Sequence, residues 1–161
     1  MSVKNRIAEL VEKLNLLPHP EGGYYSETYR SEETIVGKNR QLMTSIYFLL
    51  TSENVSNFHR IKSDEIWFFH EGSSLIVHTL SAEGHKENRV GLSIDKGENP
   101  QFLVEKDTIF GSTVADENSY SLVSCVVSPG FDFQDFELFT KEQLLKEFPD
   151  SETIISRLTA N

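Results

Sequence analysis

The hydrophobic residues at the two ends of the chain repeat at helical spacing. Near the start, Ser2 is placed to cap a helix that buries one apolar face, made of Val3, Ile7, Leu10, Val11 and Leu14. Toward the end, Thr140 and Gln143 have the spacing of a capping box ahead of a second apolar run. We therefore predict short α-helices at about residues 3–14 and about 141–158.

Between these helices the pattern changes to short segments rich in aromatic and β-branched residues. They include "GYYSETYR", "TSIYFLLT", "EIWFFH", "LIVHTL" and "SLVSCVVS", with turn residues between them. Segments of this kind are typical of antiparallel strands in a sandwich or closed barrel. The chain shows no internal repeat and no long linker. We predict one mainly β domain over residues 1–161, with its barrel at about 22–139.

Composition narrows the possible partners. The chain has 161 residues, a net charge of −10 and a pI near 4.9, which disfavours nucleic acid and anionic membranes because both bind basic patches. The first residues lack the apolar core of a signal peptide, and no apolar run approaches the roughly 18 residues of a membrane span. The single cysteine, Cys125, lies in a predicted buried strand and is expected to be a packed thiol. We expect a cytoplasmic protein.

The stretch "FHRIKSDEIWFFHEG" at residues 58–72 contains the main candidate chemistry. Strand alternation places Glu65, Trp67 and Phe69 on one face. The glycine and serines that follow predict a tight hairpin. A two-residue turn places His78 on the face of Glu65, whereas a three-residue turn reverses it.

This stretch also shows a family resemblance. The spacing of His59, Glu65 and Gly72 resembles the first motif of the cupin superfamily, HxHxxxE followed by glycine. "HPEGGYYSETYRS", "TSIYFLL" and "VSPGFDF" are similar, in the same order, to a branch of that superfamily defined as a domain of unknown function. The resemblance runs from about Leu17 to Leu138. It implies a single antiparallel double-stranded β-helix, the cupin jelly-roll barrel, with short N- and C-terminal α-helices and common assembly as a homodimer.

The departures from the cupin pattern concern metal binding. Metal-binding cupins supply two histidines and a glutamate from the first motif and a third histidine from the second. Here Ile61 takes the second histidine position and Phe110, in "EKDTIF", takes the last one. Zinc usually requires three protein ligands, so His59 and Glu65 alone fall short. We expect no cofactor; the alternative is a divalent metal bound by His59, Glu65 and His78.

His59 and Glu65 are the candidate catalytic pair. His59 suits general acid or base chemistry because its ordinary pKa is about 6.5. Glu65 would orient the imidazole or act as the partner acid. The structural alternatives are a histidine with satisfied hydrogen bonds and a carboxylate tied to an arginine or to backbone amides.

Further candidates lie on the predicted barrel wall. Alternation in "YYSETYR" places Tyr25, Glu27 and Tyr29 on one face and Arg30 on the other; we predict Tyr25 as a catalytic acid and Glu27 as a ligand-binding group. Trp67, Phe110 and His78 are predicted to line the ligand site, where Trp67 would stack on a flat or sugar-like molecule. The alternative for the aromatic residues is simple core packing. No role is predicted for the remaining histidines, His19, His70 and His85.

Together these observations predict a barrel that binds a small polar or sugar-like molecule. If the protein is an enzyme, metal-independent isomerisation or epimerisation next to a carbonyl fits best, with His59 as the base and a tyrosine as the acid. The fold-level analogy is to the sugar-nucleotide epimerases of rhamnose synthesis. Two alternatives stay open: a residual metal-dependent enzyme of the dioxygenase kind, and a non-catalytic module that binds or senses a small ligand.

Overall fold

The structure, a computed structural model, describes residues 1–160; Asn161, the last residue of the predicted domain, lies outside the described residues. Strands contain 44% of the residues and helices 21%, which confirms the predicted mainly β class. The helices are α1 (Val3–Lys13), α2 (Lys141–Glu147) and α3 (Glu152–Arg157). The strands are β1 (Leu17–Pro18), β2 (Tyr24–Arg30), β3 (Thr34–Ile35), β4 (Arg40–Gln41), β5 (Thr44–Thr51), β6 (Ser56–Arg60), β7 (Asp64–Gly72), β8 (Leu75–Ser81), β9 (Gly84–Val90), β10 (Gln101–Val104), β11 (Ile109–Val114), β12 (Tyr120–Ser128) and β13 (Glu137–Leu138).

Two antiparallel sheets form the body of the described chain. The larger sheet has the strand order β1-β2-β5-β12-β7-β10, and the smaller has the order β13-β6-β11-β8-β9. Their inner faces pack together through a buried core that includes Phe48 and Trp67 from the larger sheet and Val77 and Phe110 from the smaller one. β3 and β4 pair separately as a short hairpin.

Helices cover the outer face of each sheet, which explains why many strands are apolar on both faces. α1 begins at the predicted cap, where Ser2 Oγ accepts a hydrogen bond from the backbone N–H of Asn5 at 3.1 Å, and it packs on the larger sheet through Leu10. α2 and α3 pack on the smaller sheet through Leu144 and Ile155. Among the described residues, none of the helices has the length and apolar character that crossing a bilayer requires.

The predicted hairpin between β7 and β8 is wrong. The two strands are consecutive, but β7 pairs with β10 and β12 in the larger sheet, whereas β8 pairs with β9 and β11 in the smaller one. The turn at residues 73–74 therefore carries the chain from one sheet to the other. The rules that relate turn length to side-chain direction in a hairpin do not apply, so they do not determine which residues of β8 face the barrel interior. Leu75 and Val77 face the barrel interior, while His78 lies on the outer face with Leu80, which packs against the C-terminal helices.

A bulge in β2 changes a second face assignment. The pairing of β2 with β5 slips by one residue between Glu27 and Tyr29, so Thr28 is an extra residue. After the slip, Arg30 lies on the same side as Tyr25 and Glu27, and Tyr29 is about half exposed, at 51%. The predicted grouping of Tyr29 with Tyr25 and Glu27 is wrong because simple alternation does not account for a bulge.

Candidate functional site

A cavity of about 470 Å³ opens between the two sheets. Five of the predicted site residues line it together: Tyr25, Glu27, His59, Glu65 and Trp67. The remaining lining residues combine an apolar wall with further polar groups: His19, Glu21, Arg30, Thr44, Ile46, Ile61, Cys125, Val127, Phe131, Asp132 and Phe133. An apolar wall with a few convergent polar groups is typical of small-molecule sites.

Two predicted site residues do not line this cavity. Phe110 is buried in the barrel core. Its ring packs against the imidazole of His59, with ring centroids 4.2 Å apart. His78 lies on the outer face of the smaller sheet. The predicted placement of His78 beside His59 and Glu65 is therefore wrong.

His59, on β6, is buried and uses both ring nitrogens. Its Nδ1 donates to the carbonyl oxygen of Asn57 at 2.7 Å, and its Nε2 lies 2.9 Å from Oε2 of Glu21. Burial lowers the pKa of His59, but the Glu21 charge and these hydrogen bonds outweigh burial, and the pKa is raised overall. Burial by itself raises the pKa of Glu21, but the charge of His59 and its hydrogen bond outweigh burial. The pKa of Glu21 is therefore lowered overall.

The two side chains thus form a buried imidazolium–carboxylate ion pair. Glu21, rather than Glu65, orients the imidazole. Both ring nitrogens of His59 are hydrogen-bonded in this pair and neither has a free lone pair, so the arrangement does not fit the predicted general base.

Glu65, on β7, extends into the cavity from the opposite sheet and is 8% exposed. Burial and the neighbouring charge of Glu21 raise its pKa to about 8, against smaller lowering effects from His59 and from Trp67. Glu65 therefore keeps its proton at neutral pH. The indole N–H of Trp67, two residues further along the strand, is buried and has no partner of normal hydrogen-bond geometry within residues 1–160. A protonated carboxyl and an unpaired donor thus lie together in the cavity wall.

The segment "HPEGG" supplies two cavity residues that the sequence reasoning missed, His19 and Glu21. The turn requires glycine: Gly22 has φ of 111°, and a Cβ there would lie 2.0 Å from the backbone oxygen of Val55. The segment is fastened to β6 because the backbone N–H of Asn57 donates to the carbonyl oxygen of Glu21 at 2.8 Å. The available signal is the motif itself, which contains His19 and Glu21 beside its two glycines.

His19 has a defined tautomer. The backbone N–H of Glu21 donates to His19 Nδ1 at 3.1 Å, which leaves the proton on Nε2. Burial lowers the pKa of His19, so the ring is neutral at pH 7 and presents a donor. Tyr25 packs edge-on against this ring, with centroids 4.7 Å apart. His19 thus lines the same cavity as five of the predicted site residues, although the sequence predicts no role for it.

Glu27 and Arg30 close the cavity wall toward solvent. Both oxygens of Glu27 accept from Arg30, at 2.6 and 3.2 Å, and Arg30 also donates to the carbonyl oxygen of Phe131 at 3.1 Å. The carboxylate of Glu27 is thus tied to an arginine, which is the alternative that the sequence left open for Glu65. A ligand at this end meets a neutral pair rather than a free charge.

Cys125, on β12, is the packed thiol that the sequence predicts, and it also lines the cavity. Burial raises its pKa well above the usual range, and the Glu65 and Glu21 charges add to this effect. Because the thiolate is the reactive form, we expect 5,5′-dithiobis(2-nitrobenzoate) at pH 8 to react more than about tenfold slower with the folded protein than with the urea-unfolded chain. A Cys125→Ser variant gives the blank, and equal rates in the two states would contradict the assignment.

The barrel residues do not fit the metal that cupins commonly bind. Ile61 and Phe110 place apolar side chains at two of the four ligand positions that the family resemblance implies, and both ring nitrogens of His59 donate to Asn57 and Glu21, so neither has a lone pair for an ion. The alternative ligand set of His59, Glu65 and His78 is wrong, because His78 lies outside the barrel. Within residues 1–160, no three potential ligand atoms of the barrel converge closely enough for one ion.

The family described as the cupin superfamily (DUF985) matches residues 8–139 of the chain. Protein SO0799 from Shewanella oneidensis is 46% identical, with a TM-score of 0.88 over 94% of this chain and 96% of that one. A hypothetical protein from Leishmania major is 39% identical, with a TM-score of 0.90 over 96% and 98%. The uncharacterized protein YML079W of Saccharomyces cerevisiae is 29% identical over 157 residues, 87% of this chain and 78% of its own.

A more distant likeness concerns the fold alone. Oxalate decarboxylase from Bacillus subtilis is 18% identical, with a TM-score of 0.58 over 88% of this chain and 36% of its own. At that identity the likeness shows the shared β-barrel architecture and does not extend to the reaction.

Proposed function

The chain belongs to the DUF985 family of the cupin superfamily, and from this premise we propose that its barrel binds a small, polar, sugar-like molecule and catalyses metal-independent proton transfer on it, as an isomerase or epimerase does. The observation that carries this proposal is the buried carboxyl of Glu65, which keeps its proton at neutral pH inside a cavity of about 470 Å³. Strongly perturbed acids in clefts mark functional sites more often than ordinary surface positions do.

The cavity offers the contacts that a hydroxylated molecule with a carbonyl group needs. Trp67 contributes a flat apolar face and a buried N–H that has no hydrogen-bond partner of normal geometry within residues 1–160, and His19 contributes an N–H on Nε2. The phenol of Tyr25 lies in the same wall. A bound oxygen atom that accepts from Trp67 would satisfy a donor that is otherwise costly to bury.

Glu65 is the group that we assign to proton transfer. Its pKa of about 8 makes the ionised form a stronger base than an ordinary carboxylate, and a measurable fraction is ionised near neutral pH. The carboxylate would take a proton from the carbon next to the carbonyl, and the acid so formed would return it to the opposite face or to the neighbouring carbon. The N–H groups of Trp67 and His19 are the donors that would stabilise the enediolate formed between the two steps.

The test is a two-part assay on one panel of free and deoxythymidine-linked sugars. We expect at least one compound to raise the melting temperature, and the same compound to exchange the hydrogen next to its carbonyl with deuterium from D₂O, followed by NMR. Glu65→Gln should retain the melting shift and lose the exchange by at least about 100-fold, since it removes the acid–base group while conserving its shape. Glu32→Gln, at an exposed carboxylate, is the matched control and should behave as wild type.

The outcomes separate the alternatives. A melting shift without exchange would overturn the catalytic half of the proposal and favour a non-catalytic binding module. Exchange that survives in Glu65→Gln would reject Glu65 as the proton-transfer group. No melting shift with any compound would reject sugar-like ligands.

A further inference from the structure

A second group of polar side chains lies outside the barrel, on the outer face of the smaller sheet. His78 belongs to β8, and His85 and Glu87 belong to the edge strand β9. His78 and Glu87 are directly opposite one another in the strand pairing, and His85 is two residues from Glu87 on the same face. One potential ligand atom from each side chain lies within 4.8 Å of the other two.

The two histidines are already arranged with their ring nitrogens facing each other. Nδ1 of His78 lies 2.9 Å from Nε2 of His85, and the rings are stacked with centroids 5.1 Å apart. Two imidazole ligands at 2.0–2.1 Å from a tetrahedral ion have their nitrogens about 3.3 Å apart, so a shift of a few tenths of an ångström is sufficient. The proton that now lies between the two nitrogens would be released when an ion takes its place.

A third contact orients His78. Its Nε2 lies 2.8 Å from the hydroxyl oxygen of Thr113, on the neighbouring strand β11. When Nε2–H donates to this hydroxyl, the lone pair of Nδ1 points at His85. Histidine ligands of metals generally donate their second N–H to such a partner, which sets the tautomer and the ring orientation.

We propose that His78, His85 and Glu87 form a binding site for a divalent transition metal, Zn²⁺ in particular, with a fourth position open to water. Two imidazoles and one carboxylate are ligands that zinc accepts, and this set is present on rigid paired strands. His78 is buried, His85 is half-buried and Glu87 is exposed, so the ion would reach the site from solvent. The ion would fasten the edge strand β9 to β8.

One charged neighbour opposes the ion. The guanidinium of Arg157, on α3, acts on His78 and disfavours positive charge there. The carboxylate of Glu87 offsets part of this effect. Arg157→Gln should therefore tighten Zn²⁺ binding by a few-fold. If the two histidines only hydrogen-bond to each other and bind no ion, the substitution should have no such effect.

The experiment uses the full chain without a histidine tag, freed of metal with a chelator and titrated with Zn²⁺ in competition with a chromophoric chelator. We expect one equivalent bound at micromolar or lower concentration and a Co²⁺ absorption spectrum of tetrahedral type. His85→Gln and Glu87→Gln should each weaken binding by about tenfold or more. Both positions reach the surface, so the fold of each variant can be verified by circular dichroism.

The control is His70→Gln, since His70 is an exposed histidine on the outer face of the larger sheet. It should leave Zn²⁺ affinity unchanged. No binding at micromolar Zn²⁺, or binding that His85→Gln leaves intact, would overturn the proposal. Glu65→Gln, inside the barrel, should also leave the Zn²⁺ affinity unchanged. This result separates the metal site from the barrel cavity, so either proposal can fail without the other.

Discussion

Replacing Glu65 with glutamine is expected to raise the free energy of unfolding at pH 8 by about 4–5 kcal/mol relative to wild type. The reason is the difference between the folded and unfolded carboxyl. In the unfolded chain Glu65 ionises near its model value of 4.5, whereas in the fold its pKa is raised to about 8. Between these values the folded state binds the extra proton, so each rising pH unit costs about 1.4 kcal/mol of stability. Glutamine carries no such cost because it never ionises.

The decisive measurement is how the difference in unfolding free energy between Glu65→Gln and wild type changes with pH. Urea unfolding followed by Trp67 fluorescence should show wild type and Glu65→Gln nearly equal at pH 4.5–5, with the variant increasingly more stable up to pH 8. Glu32→Gln serves again as the exposed control and should track wild type throughout. A pH-independent difference would mean that Glu65 is ionised in the fold. If Glu65→Gln is more stable than wild type at pH 8 and also loses the hydrogen exchange of the bound compound, then Glu65 lowers the stability of the fold and is required for proton transfer.

Replacing Glu21 with alanine should have the opposite effect, a loss of about 3–5 kcal/mol near pH 6. The substitution removes the partner of a buried imidazolium and leaves Nε2 of His59 without its hydrogen bond. Urea unfolding measures the loss. Glu137→Ala is the matched control, because it removes the carboxylate of an exposed ion pair with Arg60 at 2.7 Å and should cost less than about 1 kcal/mol.

The contribution of the Glu21–His59 pair is confined to a window of pH. The lowered pKa of Glu21 adds stability above about pH 4.5, and this is lost as the pH falls through the folded value. The raised pKa of His59 adds stability below about pH 6.5, and this is lost as the pH rises through its folded value. The penalty of Glu21→Ala should therefore be largest between pH 4.5 and 6.5. Glu21→Gln should be milder, since the amide can still bond to a neutral His59. A penalty that is the same at pH 5 and pH 9 would contradict the ion pair.

Much of the fold follows from patterns that are local in the sequence. The Ser2 cap and the Thr140–Gln143 capping box depend on residues three positions apart, and both are present as predicted. Alternation within β7 likewise places Glu65 and Trp67 on the barrel face. The cupin family was predicted because its motifs are contiguous. Assembly as a homodimer stays a prediction.

The errors arise where the outcome depends on distant partners. Nothing in residues 64–81 indicates that β7 and β8 belong to different sheets, since the turn sequence is equally compatible with a hairpin. The extra residue in β2 is likewise set by its pairing with β5. The partner of His59 is Glu21, 38 positions earlier, and only the closed barrel brings a buried histidine to that carboxylate. Ion pairs of this kind follow from topology, which the sequence pattern did not specify in such detail.

The position of β12 in the larger sheet has a consequence for how the chain folds during synthesis. β12 lies between β5 and β7 and pairs with both, although it follows them by more than 45 residues. Until residues 120–128 have left the ribosome, the strands that contain Phe48 and Trp67 lack their central partner and keep apolar surface exposed. Contacts of such long range slow folding and extend the period in which aggregation competes with it. Because β12 also supplies Cys125 to the cavity, the complete cavity cannot form before this strand has been synthesised.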